Sequence, residues 1–146
     1  MAEKIDFHFN VKNRISYACR VVRKALSLKM RVAVWCRDAH RLDFFSRQLC
    51  SFEPTGFYPH VNAEDALAAQ TPIVFHTDAA LLPSRDVLLL LDDAVPDNYQ
   101  ELFTRFGRII DVVGDTENER VSARERFVTY RRAGLNPVAH DQAKGK

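Results

Sequence analysis

Glycine is scarce in this sequence, and the glycines that are present do not form a phosphate-binding motif. The 146 residues include five glycines, at positions 56, 107, 114, 134 and 145. Neither G-x-G-x-x-G nor G-x-x-x-x-G-K-S/T can be written from them, which excludes the usual nucleotide-binding loops. The nucleophile elbow G-x-S-x-G and the zinc motif His-Glu-x-x-His are missing as well. We therefore expect no cofactor and no intrinsic catalysis.

Cysteine is also rare, and its spacing fits neither a disulfide framework nor a zinc ligand set. Cys19, Cys36 and Cys50 are odd in number and lie far apart. Cys19 falls on an apolar helical stripe and Cys36 ends an apolar run. We expect all three to be reduced core residues, and we expect no metal site.

The chain lacks both a large charge excess and a long apolar run. A formal net charge of +2 is too small for wrapping duplex nucleic acid, so any basic function must be local. No apolar stretch approaches the roughly 20 residues of a membrane span. The first residues, Met-Ala-Glu-Lys-Ile-Asp-Phe, do not resemble a secretory signal. These features predict a soluble, cytoplasmic protein with no membrane contact.

Strand and helix patterns alternate along the chain. Apolar and polar side chains alternate from Ile5 to Phe9, which is the period of a strand. From Asn13 onward, apolar residues recur at intervals of three and four, which is the period of a helix. Short apolar runs at 31–36 and 87–92 are typical of strands buried on both faces, and residues 108–113 are predicted to form a further strand. The sequence therefore predicts an α/β fold with a mostly parallel, twisted sheet and helices on both faces.

One domain accounts for most of this pattern. The length suits a single domain, which we expect to span residues 1–136. Asn136-Pro137 ends the last helical pattern, and the residues beyond it include few apolar side chains. We expect residues 137–146 to form a disordered tail.

A stripe of arginines with one aromatic ring characterises the last predicted helix, residues 119–134. Arg120, Arg124, Phe127 and Arg131 recur at intervals of three and four, so they share one face of this helix. No acidic residue lies four positions before or after any of the three arginines. The stripe is therefore predicted to be available to a partner.

The chemistry of this stripe indicates an acidic ligand with an apolar end. The arginine guanidinium matches carboxylates, and an adjacent aromatic ring supplies apolar contact. Glu117 can reach Arg120 at a spacing of three, and Gly134 permits a sharp chain reversal after the helix. An acidic peptide or a carboxylate terminus is the predicted ligand.

Three alternatives stay open from the residues alone. The stripe can be an ordinary solvated face. It can bind single-stranded DNA directly, together with Arg20, Arg23 and Lys24. A divergent nucleotide hydrolase could instead use Asp92 and Asp93, which follow an apolar run as the magnesium-binding acid of an ATPase does.

Several short motifs carry a family resemblance over nearly the whole chain. They are Ala123-Arg124-Glu125-Arg126-Phe127, Tyr130-Arg131, Ala133-Gly134-Leu135-Asn136 and Phe57-Tyr58-Pro59-His60, with Arg31-Val32 before Cys36. In these motifs the sequence resembles the chi subunit of bacterial DNA polymerase III, a component of the clamp-loader assembly. The resemblance implies a nucleotide-binding-like topology without a phosphate loop, and an adaptor rather than an enzyme.

The resemblance also implies a ligand for the arginine stripe. Chi subunits bind the acidic, Pro-Phe-ended C-terminal tail of single-stranded DNA-binding protein, which links the polymerase to coated template and contacts DNA only indirectly. Carried over to matching positions, this site consists of Arg120, Arg124, Phe127, Arg131 and Gly134.

A second interface is implied for the psi subunit, or for a helicase-like competitor. The resemblance assigns Phe57 to this surface, and we expect Phe44 and Tyr58 to extend it as an exposed aromatic patch. The alternative for Phe57 is a place in the core, where phenylalanine is usually found.

Overall fold

Seven strands form one parallel sheet in the computed structural model, which describes residues 4–51 and 58–143. The strand order is β3-β4-β2-β5-β6-β1-β7, and every neighbouring pair is parallel. This arrangement confirms the predicted α/β class. The strands are β1 (Lys4–Val11), β2 (Val32–Trp35), β3 (His60–Asn62), β4 (Ile73–His76), β5 (Arg85–Leu90), β6 (Phe106–Gly114) and β7 (Asn136–Asp141).

Helices cover both faces of the sheet, as predicted. Successive residues of a strand face opposite sides, so Leu88 and Leu90 of β5 pack in one cluster, and Val87 and Leu89 pack in the other. The first cluster includes buried residues of the third and fourth helices, and the second includes buried residues of the first two. The helices are α1 (Arg14–Ser27), α2 (Ala39–Ser51), α3 (Tyr99–Phe103) and α4 (Glu117–Arg132), with short 3₁₀ helices at Ala68–Gln70 and Ala79–Leu81.

Side-chain caps fix where the helices begin. The Asn13 side chain accepts a hydrogen bond from the Ser16 backbone N–H at 3.1 Å and so caps the start of α1. At the start of α4, Thr116 accepts from the Glu119 backbone N–H at 3.2 Å and donates to the Glu119 carboxylate at 2.8 Å. This reciprocal arrangement resembles a capping box and places the arginine-rich helix directly after β6.

The prediction of a disordered tail over residues 137–146 was wrong for residues 137–141. These residues belong to β7, which pairs in parallel with β1 from Asn136 to Asp141. An edge strand needs backbone pairing on only one side, so it requires few apolar side chains, and it tolerates a proline. Gln142 donates its backbone N–H to the Phe9 carbonyl, and residues 144–146 lie outside the described part.

The cysteine prediction holds for two of the three residues. Cys19 and Cys36 are buried, and burial raises the pKa of the Cys19 thiol to about 11. Cys50 is exposed near the end of α2, so its assignment to the core was wrong. Within residues 4–51 and 58–143 no group of three or more His, Cys, Asp or Glu side chains is arranged to hold a metal ion.

None of the helices in the described part of the chain combines the length and the apolar character that a membrane crossing requires.

Candidate functional site

The helix α4 carries arginines in two different environments. Arg126 points toward the sheet and is only 2% exposed. Its Nε and Nη2 atoms donate to the two carboxylate oxygens of Asp111, each at 3.0 Å. Arg124, two residues earlier, is exposed on the outer side of the same helix. Two arginines of one short motif therefore have different roles, since Arg124 is open to a ligand and Arg126 is part of the core.

Sequence reasoning missed the buried pair. Burial raises the pKa of Asp111, and the Arg126 guanidinium opposes this rise by favouring the ionised carboxylate. An available signal was the position of Asp111 inside an otherwise apolar run, because a buried acid requires a partner. That signal, however, does not identify which of the α4 arginines is the partner.

A groove of about 300 Å³ lies between α4 and the edge of the sheet formed by β1 and β7. Two of its lining side chains, Ala123 of α4 and Ala139 of β7, are small and leave space between the helix and the sheet. Most of the surface is apolar, and the cations come from α4. The lining residues are Phe7, Phe9, Arg120, Ala123, Arg124, Phe127 and Ala139.

Packed aromatic rings form one wall of this groove. The rings of Phe7 and Phe127 pack at 5.4 Å between centroids with a tilt of 55°. Phe7 also packs against the buried ring of Tyr130, at 5.9 Å. The Arg131 guanidinium lies 5.9 Å from the Phe127 ring centroid, a cation–π distance. Phe127 is thereby held between the core and a cation, and it presents an apolar surface with a preset orientation.

The two arginines at the groove differ in how much freedom they keep. Arg120 pairs with Glu117 at 3.0 Å, as the three-residue spacing predicted, and it also donates to the Asp115 carbonyl oxygen. The Arg124 side chain makes no hydrogen bond or ion pair with any residue in the described ranges. Arg120 is therefore a preoriented cation at the groove entrance, whereas Arg124 is the cation that a carboxylate can engage without displacing an existing partner.

Gly134 ends α4 but does not line the groove. Its φ is +87°, in the region that favours glycine. The Gly134 N–H donates to the Arg131 carbonyl and the Leu135 N–H donates to the Tyr130 carbonyl, which is the Schellman arrangement of a helix end. Gly134 thus turns the chain from α4 into β7. The structure brings Arg120, Arg124 and Phe127 together at the groove, with Arg131 against the ring and Gly134 in a positioning role.

Sequence reasoning also missed the sheet side of this groove. Phe7 and Phe9 come from β1 and Ala139 comes from β7. The alternation of Ile5, Phe7 and Phe9 predicted the strand, but it did not indicate which helix covers it. Ala139 fell in the segment predicted to be disordered, so nothing in the pattern placed it beside α4.

The residues predicted for a second interface are only partly described. Phe57 lies outside the described residues. Phe44 is 51% exposed on α2, in agreement with the predicted exposure. Tyr58 is partly buried and packs against the core cluster that also contains α1 and α2, so it is less exposed than an open aromatic patch requires.

Asp92 and Asp93 have structural partners. Although burial opposes the shift, hydrogen bonds from Arg37 hold the pKa of Asp92 below its ordinary value. Backbone N–H groups of the two following residues also donate to Asp92. Asp93 pairs with Arg14 at 2.9 Å and lies 3.9 Å from Arg41. These contacts connect the end of β5 to the first two helices.

Two comparisons with known proteins bear on the family of this chain. A family model described as "DNA polymerase III chi subunit, HolC" matches residues 1–138. A curated relative, the DNA polymerase III subunit chi of Pseudomonas aeruginosa, is 29% identical over 135 residues, which cover 90% of this chain and 91% of the relative. The family match includes α4 and ends within β7, one residue before Ala139. The chain belongs to the DNA polymerase III chi subunit family.

Proposed function

We propose that this chain is a non-catalytic adaptor that binds the acidic C-terminal tail of single-stranded DNA-binding protein and links it to the clamp loader of DNA polymerase III during DNA replication in the cytoplasm. The observation that carries this proposal is the groove between α4 and β7, which combines an apolar, aromatic lining with arginines at its rim. Membership of the chi subunit family supports the replication context.

The groove chemistry matches the two parts of such a tail. A terminal phenylalanine ring packs against Phe7 and Phe127, where offset and tilted aromatic pairs are favourable. Ala123 and Ala139 leave the room for that ring. The acidic residues and the terminal carboxylate pair with Arg124 and Arg120 at the rim. The tail belongs to the DNA-bound protein, so this chain contacts DNA only indirectly.

The link to the clamp loader uses another face of the molecule in this proposal. The psi subunit, or a helicase-like partner, binds near Phe57, Tyr58 and Phe44. The 51% exposure of Phe44 on α2 supports an aromatic contact there. Because α2 and α4 lie on opposite faces of the sheet, both partners can bind at once.

Replacing Arg124 by glutamine is expected to weaken tail-peptide binding by about 1.5- to 5-fold, the range of one exposed ion pair. The interaction should also weaken as salt is added, and less steeply for the variant, because one screened charge pair is gone. Isothermal titration of an acidic Pro-Phe-ended peptide at two ionic strengths measures both effects.

Arg47→Gln is the matched control for this measurement. Arg47 is also an exposed helical arginine, but it lies on α2 and pairs with Asp43. The control should bind the peptide like the unmodified chain. Equal affinity of Arg124→Gln and Arg47→Gln would remove Arg124 from the site, and absence of peptide binding to the unmodified chain would refute the proposed function.

A further inference from the structure

Two further clefts continue from the tail groove around the end of the sheet. Arg120 lines the groove and also a larger cleft of about 870 Å³ at the carboxyl ends of β1 and β7. Tyr17 and Arg20 of α1 line this end cleft and also a third cleft, of about 320 Å³, beside α1. Each cleft shares a lining residue with the next, so the three lie side by side; together they are called here the basic track.

Cations outnumber acids along the part of the basic track beyond the groove. Lys12 and Arg20 line the end cleft, and Lys24 and Arg108 line the cleft beside α1. Asp115 is the acid that lines the end cleft. Arg108 is partly neutralised by Asp6, at 3.8 Å. Lys12, Arg20 and Lys24 therefore supply the net positive charge of this surface.

We propose that the basic track binds the acidic residues that precede the apolar end of the tail, with Arg20 and Lys24 of α1 as their main contacts. This inference rests on the proposed function, and it extends the ligand from the groove to the opposite face of the sheet. The chain of the ligand leaves the groove past Arg120, the residue that the groove and the end cleft share. Ligands of open α/β sheets commonly bind at the carboxyl ends of the strands, where this path runs.

The spacing of the α1 cations suits an extended acidic peptide. Arg20 and Lys24 are four residues apart on one helix face, a rise of about 6 Å along the axis. In an extended peptide, side chains that face the same side are about 6.6 Å apart. Two carboxylates on alternate residues of the ligand can therefore pair with Arg20 and Lys24 together.

An acidic peptide fits the basic track better than single-stranded DNA does. Sequence-independent binding of single strands relies on aromatic rings that stack with successive bases. In the cleft beside α1 the aromatic side chain is the half-buried Tyr17, and the Arg20 guanidinium lies over one face of its ring at 5.4 Å. The Tyr17 hydroxyl is also engaged with His8. Positive charge thus remains available, whereas a stacking platform does not.

The test compares two tail peptides that end identically. The short peptide, of about four residues, reaches only the groove, whereas one of about twelve residues spans roughly 40 Å when extended and can follow the basic track. We expect the unmodified chain to bind the long peptide about 2- to 25-fold more tightly, from two exposed ion pairs. The Arg20→Gln/Lys24→Gln variant should bind the long peptide only as tightly as the short one, with short-peptide affinity unchanged.

Arg23→Gln/Arg47→Gln is the charge-matched control. Arg23 is exposed on α1 between the two proposed contacts, but neither it nor Arg47 lines the basic track. The control should keep the preference for the long peptide. The proposed contacts with Arg20 and Lys24 would be overturned if the unmodified chain bound both peptides equally. They would also be overturned if the Arg20→Gln/Lys24→Gln variant kept the preference for the long peptide. Neither result would contradict binding of the apolar end in the groove.

Two other outcomes distinguish failure of the proposed function from failure of this inference. If neither peptide binds the unmodified chain, the proposed function itself fails. If a naked oligothymidine binds at moderate salt and loses affinity in the Arg20→Gln/Lys24→Gln variant but not in the control, the track belongs to nucleic acid and the peptide assignment is overturned.

Discussion

Replacing Arg126 by methionine is expected to lower the free energy of unfolding by about 3–5 kcal/mol, the usual effect of breaking a buried ion pair. Arg126 is 2% exposed and Asp111 is fully buried. Methionine keeps much of the side-chain length but removes both hydrogen bonds to Asp111. The carboxyl group is then left in the core without its cation. Urea denaturation of the variant and the unmodified chain measures the change, provided that the two proteins have the same m-value.

Arg124→Met is the control for that prediction, since it makes the same substitution two residues away on the same helix. Arg124 is exposed, so the free energy of unfolding should change by less than about 0.5 kcal/mol. Adding Asp111→Val to Arg126→Met should raise stability above that of Arg126→Met alone, because the uncompensated acid is removed. Equal stability of the Arg124 and Arg126 single variants would contradict the assignment of Arg126 to the core.

Replacing the terminal phenylalanine of the tail peptide by alanine is expected to weaken binding by roughly 10- to 150-fold. Burying a phenylalanine side chain contributes about 1.5–3 kcal/mol, and each 1.4 kcal/mol is a factor of ten in affinity. An exposed ion pair at Arg124 contributes much less. The ring should therefore dominate affinity, and the arginines should add salt-dependent selectivity for an acidic ligand. Titration of both peptides against the unmodified chain measures the ratio.

The alanine peptide keeps the terminal carboxylate and all acidic residues, so the comparison isolates the ring. The Phe127→Ala variant provides a second check, because it removes the groove ring that contacts Phe7. The two peptides should differ less in affinity for this variant than for the unmodified chain, which is the coupling expected of groups in contact. A loss below twofold for the alanine peptide on the unmodified chain would mean that the ring does not enter the groove.

The sequence predicted the fold because its signals are local. Alternation in β1 and the apolar runs of β2 and β5 each depend on neighbouring residues. The position of β7 depends instead on backbone pairing with β1, residues more than a hundred positions away. Edge pairing requires little apolar character, so composition alone indicated a loose tail.

The candidate site also has one part that local sequence patterns predict and one part that they do not. The shared face of Arg120, Arg124 and Phe127 follows from helix geometry, and the structure brings these residues to one groove. The opposite wall, including Phe9 and Ala139, exists only because β1 and β7 are adjacent in the sheet. Helical periodicity cannot supply that information.

Amide chemical-shift mapping of the short tail peptide on the isotope-labelled chain tests the central claim most directly. At saturation we expect the largest changes on α4 between Arg120 and Phe127 and at Ala139 of β7, since these residues line the groove. The Phe44 side of α2 should show little change. Changes confined to α2 and the residues near Tyr58, or no changes at saturating peptide, would contradict binding of the acidic tail between α4 and β7.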